Sequence, residues 1–592
     1  MTDTFSTIEA CSPAGRELLA RLRAEGFVAL VGSAVSMWKP CDLPPGMEVT
    51  DSLATLLSAS ATVPSDVSAL IKASAFEHAT DACQRKEQVG DNLLALYRAG
   101  TPNDLHGAFA RLCDEGIVEH IVTTNYDPCL EGACGLVAPA QRGAIQCVVT
   151  ESDAERLDPT RPVLFKIHGC AVRDSVRGTG PRSMVFTLGR EGQLAPWKRR
   201  LLYRLLAGRN LLVCGYSGLD FEICTELQGL HAQIVWNCRG TAIAPDLKDN
   251  ARRVLNASGG TALVGDMRKV LGFLASGMPI MADRTPMVGG LERKLGAGLT
   301  PWDLDVWRAV LFSGIGCATE AVRHGEDMLT RAGVDAEHRA DALHGLGRGL
   351  FHKGYYEQAA RRYGEAAVEA LRSGNRERAL GITLDLAEAE RCAGHWLRAW
   401  RTITRVERDL KPSEDWLRAM VSLRRVLILR LWHQLASKLW LRPVASRIRS
   451  HCKRLLAQVV AEAKEGSWLE LQQCELWATR LGIPFKEIYS GPLSPLPSRE
   501  GYGQLGYLVA EAMAKRDALR TGESSPTTVE LAATLKRACD LGAGAEAWKL
   551  AWVIVRKRGR KALSRDRRSE AVRMWWQCEY TLPMRLFLLV SP

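Results

Sequence analysis

The chain has 592 residues, 46% hydrophobic and 24% charged, which excludes disorder as the main state and is too long for one core. Its 17 cysteines are scattered and include no CxxC pair, which excludes a zinc finger or ribbon and points to reduced thiols in a cytoplasmic protein. The net charge is +12, and from residue 398 onward 35 Lys and Arg stand against 19 Asp and Glu, so the positive surplus belongs to the C-terminal part.

No apolar run is long enough to cross a bilayer. The opening stretch, MTDTFSTIEACSPAG, lacks the charged-then-apolar order of a secretory signal. Residues 1–280 alternate short apolar runs with helical patterns. "FVALVGSAVS" (27–36), "EHIVTTNYD" (119–127), "PVLFKIHG" (162–169), "NLLVCGYSGLD" (210–220) and "AQIVWNCRG" (232–240) read as buried strands followed by turns. Such alternation predicts a Rossmann-like, doubly wound parallel sheet. A helical insertion over about 51–115 interrupts it.

Residues 281–300 mix Gly, Pro and polar residues and read as a linker. Beyond them helical periodicity takes over, which predicts an all-α C-terminal region. Over 301–410 one pattern recurs: "GYYEQA" at 354–359 and "GHWLRA" at 394–399 lie 394 − 354 = 40 residues apart. Leu346, Gly347, Leu350, Gly354, Ala359, Tyr363 and Ala366 follow the tetratricopeptide pattern, in which small residues let helices approach and the Tyr fills the gap. An ordinary helical bundle is the alternative. Residues 411–592 form a basic helical region, broken at the Pro-rich 490–503. Trp396, Trp400, Trp432 and Trp440 fall at helical spacing, as core residues do. A basic half reads either as a solvated helical surface or as the seat of an acidic partner, and for a partner this spacing favours protein over nucleic acid.

The strand ends carry the chemistry. Gly32, Ser33 and Ala34 form a small-residue turn suited to backbone approach to a pyrophosphate. Asn125 and Asp127 end the second run, and His168 ends the third. Gly215 and Ser217, within "GYSGLD", offer another small turn. Trp236 and Asn237 end the fifth run and could cradle a base and ribose. No P-loop is present, and the dehydrogenase glycine fingerprint lacks its third Gly.

Taken in order, these motifs resemble the sirtuin family over residues 27–275. They stand as Gly32-Ser33-Ala34-Val35-Ser36, Thr123-Thr124-Asn125-Tyr126-Asp127, His168-Gly169, Gly215-Tyr216-Ser217 and Asn237, with "GDMRKVLGFL" (265–274) similar to the closing helix. The chain departs from the deacylases in having no zinc module after the His. It is more similar to the sirtuin-like domains of bacterial anti-phage defence proteins. That resemblance implies NAD as the substrate, with no metal. It implies Asn125 and His168 as catalytic residues. It implies Gly32, Ser33, Ala34, Ser36, Thr124, Asp127, Gly215, Tyr216, Ser217, Asp220 and Asn237 as the NAD-binding set.

The function expected from it is a regulated NAD+ hydrolase acting by NAD+ depletion and abortive infection. A homo-oligomer and a protein activator or companion subunit, bound through the helical half, are expected with it. The alternatives are an NAD-dependent deacylase or ADP-ribosyltransferase, and a non-catalytic NAD- or ADP-ribose-binding scaffold. Every catalytic-type residue lies before 275, so residues 301–592 are expected to serve control and not chemistry.

Overall fold

The computed structural model describes residues 4–58, 86–135, 145–173, 194–276 and 290–462, apart from short gaps inside the last two spans, with isolated positions elsewhere. Residues 281–289 of the expected linker, the Pro-rich break at 490–503 and most of the basic region beyond 462 lie outside the described residues.

The N-terminal domain runs β1 (Ser6–Glu9), α1 (Pro13–Glu25), β2 (Phe27–Val31), α2 (Gly46–Ser58), α3 (Lys86–Arg98), α4 (Asp104–Asp114), β3 (Val118–Thr123), α5 (Cys129–Ala133), β4 (Gln146–Val148), α6 (Glu151–Glu155) and β5 (Val163–Lys166). It continues through α7 (Pro196–Leu206), β6 (Leu211–Cys214), α8 (Phe221–Gln228), β7 (Ile234–Gly240), β8 (Pro245–Asp246), α9 (Asp249–Ser258), β9 (Thr261–Val264) and α10 (Met267–Leu274). Eight strands form a parallel sheet in the order β1-β9-β7-β6-β2-β3-β5-β4, and β8 pairs antiparallel with β7.

The central strands are apolar on both faces because helices cover both faces. Val28, Leu30, Phe165 and Val213 pack with Leu202 of α7, Ile223 of α8 and Val254 of α9. Their alternating neighbours, Phe27, Ala29, Leu164 and Leu212, pack with Leu19 of α1, Phe109 of α4 and Leu271 of α10. This is the doubly wound, Rossmann-like architecture that the alternation predicts. From β2 the chain builds outward through β3 to one edge, then returns through β6 to the other side. The C-terminal ends of β2 and β6 therefore flank the switch point, where ligands bind in such sheets.

Among the described residues helices alone follow: α11 (Leu291–Leu295), α12 (Pro301–Gly314), α13 (Ala318–Thr330), α14 (Ala336–His352), α15 (Tyr356–Arg372), α16 (Arg376–Ala393), α17 (Trp396–Asp409), α18 (Asp415–Lys438) and α19 (Arg442–Glu462). The 40-residue spacing has a structural counterpart. Gly354 and Gly394 both take left-handed φ, +85° and +102°, just before α15 and α17. Glycine adopts that region without the Cβ clash other residues meet. A Cβ on Gly347 would lie 2.7 Å from the Tyr363 ring, so the missing side chain makes room for the aromatic. Trp396, Trp400 and Trp432 pack, partly buried, against the core of α16–α18, while Trp440 lies outside the described residues. No described helix is long and apolar enough to cross a membrane.

One further cluster joins the two regions. Leu53 and Leu57 of α2, Leu93 of α3, Leu295 of α11, and Trp307, Leu311 and Phe312 of α12 share one core, which also takes in Cys41 and Cys129. Arg308 Nε donates to the Leu57 carbonyl at 2.7 Å, tying α12 to the end of α2.

Candidate active site

Register sets the site. Val31 pairs with Thr123 and with Cys214, and Thr123 pairs with Lys166. Two residues further along each strand stand Ser33, Asn125, His168 and Tyr216. These four candidate residues thus form one row along the C-terminal edge of the adjacent strands β6, β2, β3 and β5. The row closes tightly at the switch point. A Cβ on Gly32 would sit 2.5 Å from the Gly215 carbonyl oxygen and from Tyr216 Cα, so only glycine lets these loops touch. The N–H of Gly32 bonds the Cys214 carbonyl at 3.0 Å, and that of Ala34 bonds Gly215 at 3.1 Å. The turn after β2 is thus held to the turn after β6.

A buried network then fixes Asn125. The Asn103 N–H donates to His106 Nδ1 at 3.1 Å, inside the capping box that starts α4. That nitrogen is therefore unprotonated, and the ring proton sits on Nε2, 3.1 Å from Ser36 Oγ. Ser36 accepts there and donates its own proton to Asp127 Oδ2 at 2.9 Å. It accepts a second bond from Asn125 Nδ2 at 3.0 Å. The amide orientation of Asn125 follows, because Ser36 has no proton left to offer. Asn125 Oδ1 must point the other way, where it is buried and has no partner among the described residues. An unpaired buried acceptor is costly unless a ligand or water satisfies it.

Asp127 also caps α5, accepting from the Cys129 N–H at 3.0 Å through Oδ1. Lys166, wholly buried, holds the loop beneath. Its ammonium donates to the carbonyls of Tyr126 and Asp127 and, at 2.7 Å, to Glu131 Oε1. Burial opposes that charge, yet Glu131 and Asp127 hold the lysine above its ordinary value.

His168 follows β5, and its Nε2 lies 2.9 Å from Glu222 Oε1 in the first turn of α8. Both side chains are buried. Burial lowers the imidazole's proton affinity, with Asp220 opposing that effect and Lys198 adding to it. Burial pushes the Glu222 carboxyl up to about 8 and Asp220 up to about 6. Glu222 Oε2 is buried without a partner among the described residues. No local sequence pattern marks Glu222, His106 or Lys166.

The remaining candidates are placed as follows. Thr124 continues the ladder, donating its N–H to Val31 at 3.2 Å. Ser217 is exposed beside the switch point, and the Tyr216 hydroxyl donates to the Asp220 carbonyl at 3.3 Å. Asn237 Nδ2 bonds the carbonyls of Leu263 and Gly265, both at 3.1 Å, fastening β7 to β9. Trp236 corrects an expectation. It is 1% exposed, stacked on Tyr216 and covered at Gly218, so it has no open face for a base. Its position in β7 turns the indole into the core, and the indole N–H bonds the Tyr216 carbonyl at 3.3 Å.

Cys41, His106 and Cys129 place three potential metal ligands within 4.8 Å of one another. Their chemistry fits a metal poorly. Both nitrogens of His106 are already engaged. The two sulfurs touch at 3.2 Å.

His106 makes the network acid-sensitive. Burial lowers its pKa from 6.5 to about 4. The unfolded chain then binds the extra proton between those values, so stability falls as pH drops from about 6.5 towards 4. His106 alone should remove roughly 2 kcal/mol between pH 7.5 and pH 5. Urea unfolding at the two pH values, with His106→Gln giving the shallower dependence, checks it.

Residues 119–260 match the family model of the SIR2-like domain. The match takes in Asn125, Asp127, His168, Tyr216, Glu222 and Asn237, and begins after Gly32, Ser36 and His106. A SIR2-like domain implies NAD use. No curated protein matches the chain.

Proposed function

We propose that the protein is an NAD+ hydrolase, releasing nicotinamide and ADP-ribose. The observation that carries this reading is the orphaned Asn125 Oδ1, aimed from a locked amide in the same row as His168. The SIR2-like match supplies NAD as the ligand class. Asn125 Oδ1 accepts from a ribose hydroxyl or from the attacking water and so holds the reacting centre. The bond from ribose C1′ to the nicotinamide nitrogen breaks, and its electron pair leaves with nicotinamide. Water oxygen bonds C1′ through an oxocarbenium-like state, and its proton passes to His168. The switch point between Gly32 and Gly215 is the place for the pyrophosphate, with Ser33 and the exposed Ser217 beside it.

In this reading Ser36 and Asp127 orient Asn125, while Asn237 shapes the edge through β7 and β9. The helical half is a tetratricopeptide-like array that restrains the enzyme, binds a protein activator and supports a homo-oligomer. The biological setting is anti-phage defence by NAD+ depletion. The deacylase alternative is weakened by the absence of any CxxC pair for a zinc module. Incubating full-length protein with NAD+, with and without an acylated peptide, and separating the products tests the assignment. Nicotinamide and ADP-ribose without peptide are expected. Nicotinamide release only with peptide, or NAD+ bound and recovered intact, overturns it.

A further inference from the structure

We propose that Glu222 is a positioning residue that sets which nitrogen of His168 carries the proton, so that the two side chains work as one proton-transfer unit. The inference rests on the hydrolase reading for its chemistry and on the geometry of the pair for its existence. Glu222 Oε1 meets Nε2 at 2.9 Å, with side chains 2% and 7% exposed. Nδ1 is then the nitrogen left for the substrate side, and it has no hydrogen-bond partner among the described residues.

The two protonation states of the pair differ in consequence. With Glu222 ionised, Nε2–H donates to the carboxylate and Nδ1 presents a lone pair. That lone pair takes the proton of the attacking water as the C1′–oxygen bond forms and the nicotinamide leaves with its electron pair. The resulting imidazolium is stabilised by the adjacent carboxylate and then returns its proton to solvent. With Glu222 protonated, its O–H donates to Nε2 and the ring proton sits on Nδ1. No base is then available. A carboxylate orienting a histidine from behind follows the logic of hydrolytic triads.

Other titratable groups face the pair, among them Tyr126, whose ring centroid lies 6.4 Å from that of His168. Lys198 of α7, whose ammonium donates to the Ile167 carbonyl at 2.6 Å, favours the ionised carboxylate. Asp220, at the start of α8, opposes it, and Tyr216 and Cys224 stay neutral because burial raises both. Burial of Glu222 outweighs Lys198 and moves its ionisation to about 8. The pair titrates as a unit, so turnover should rise with pH through that region. The sign is fixed, since a raised carboxyl is protonated below its pKa and the protonated form is the inactive one.

Full-length protein labelled with 15N-histidine, with His168→Ala assigning the resonance, reads the tautomer directly between pH 6 and 9. NAD+ turnover is followed over the same range. Wild type should convert from Nδ1–H to Nε2–H as pH rises, in step with activity. Glu222→Gln should hold one tautomer throughout, lose the pH step and lower kcat about tenfold or more with KM little changed. Glu222→Asp, which keeps a carboxylate, should restore the step. A wild-type ring that keeps one tautomer across the range overturns the proposal, whether or not NAD+ is consumed. So does a Glu222→Gln profile that matches wild type. An inactive wild type whose ring still switches, and stops switching in Glu222→Gln, supports the pair and refutes only the hydrolase assignment.

Discussion

Asn125→Ala should lower NAD+ turnover by about 10²-fold or more, and His168→Ala by about 10²–10⁴-fold, the range of positioned acid–base groups. The first variant removes a buried acceptor that has no partner among the described residues and stands in the same row as the base. Its fold should survive, because Ser36 still accepts from His106 and still donates to Asp127. The lost amide bond should cost about 1 kcal/mol. In His168→Ala the partner carboxyl is already biased towards its neutral form, so no unpaired charge need remain. The check is kcat and KM on variants whose circular dichroism and unfolding midpoints match wild type. Full turnover by either folded variant refutes the catalytic assignment.

Lys166→Ala should be the most destabilising single change in the site, costing about 3–5 kcal/mol. The side chain is wholly buried, so its loss leaves the Glu131 carboxylate without its cation. The Tyr126 and Asp127 carbonyls lose a donor at the same time. Replacing both partners, Lys166→Met with Glu131→Leu, should recover most of the loss, since apolar pairs often substitute for buried ion pairs. Denaturant unfolding of the two variants settles it. Equal instability of single and double variants would show that the carbonyl contacts matter more than the ion pair.

Five of the strands were legible because β2, β3, β5, β6 and β7 are buried runs of β-branched and aliphatic residues. The others left too little signal. β1, "STIE", is an edge strand with no fully buried residue. β4 and β8 have three and two residues, and β9, "TALV", is too short to separate from the helices on either side. In the site, Asn125, Asp127, Ser36 and His168 were legible because each ends an element, where local pattern marks it. Their partners were not. Glu222 meets His168 across 54 residues, and His106 meets Ser36 across 70. Contacts of that separation depend on which helix the sheet topology brings back, and no local spacing encodes that. Lys166 was hidden differently: a lysine inside an apolar strand reads as a surface residue until Glu131 is seen beneath it. Trp236 shows the reverse error. Its place at a strand end suggested a ligand platform, but the side chain points into the core.

The core shared by α2, α3, α11 and α12 bears on how this protein can be divided. A fragment ending at residue 290 would keep every candidate catalytic residue, yet it would strip Leu295, Trp307, Leu311 and Phe312 from α2 and α3. Each such side chain contributes about 1.5–3 kcal/mol when buried, so the remnant would lose stability on the scale of a whole domain. The smallest self-standing folded unit therefore extends at least through α13, whose Ala321 belongs to the same cluster. Gene fusions, truncation series and evolutionary shuffling all meet the same constraint: the seam visible in the sequence near 290 is not a seam in the packing.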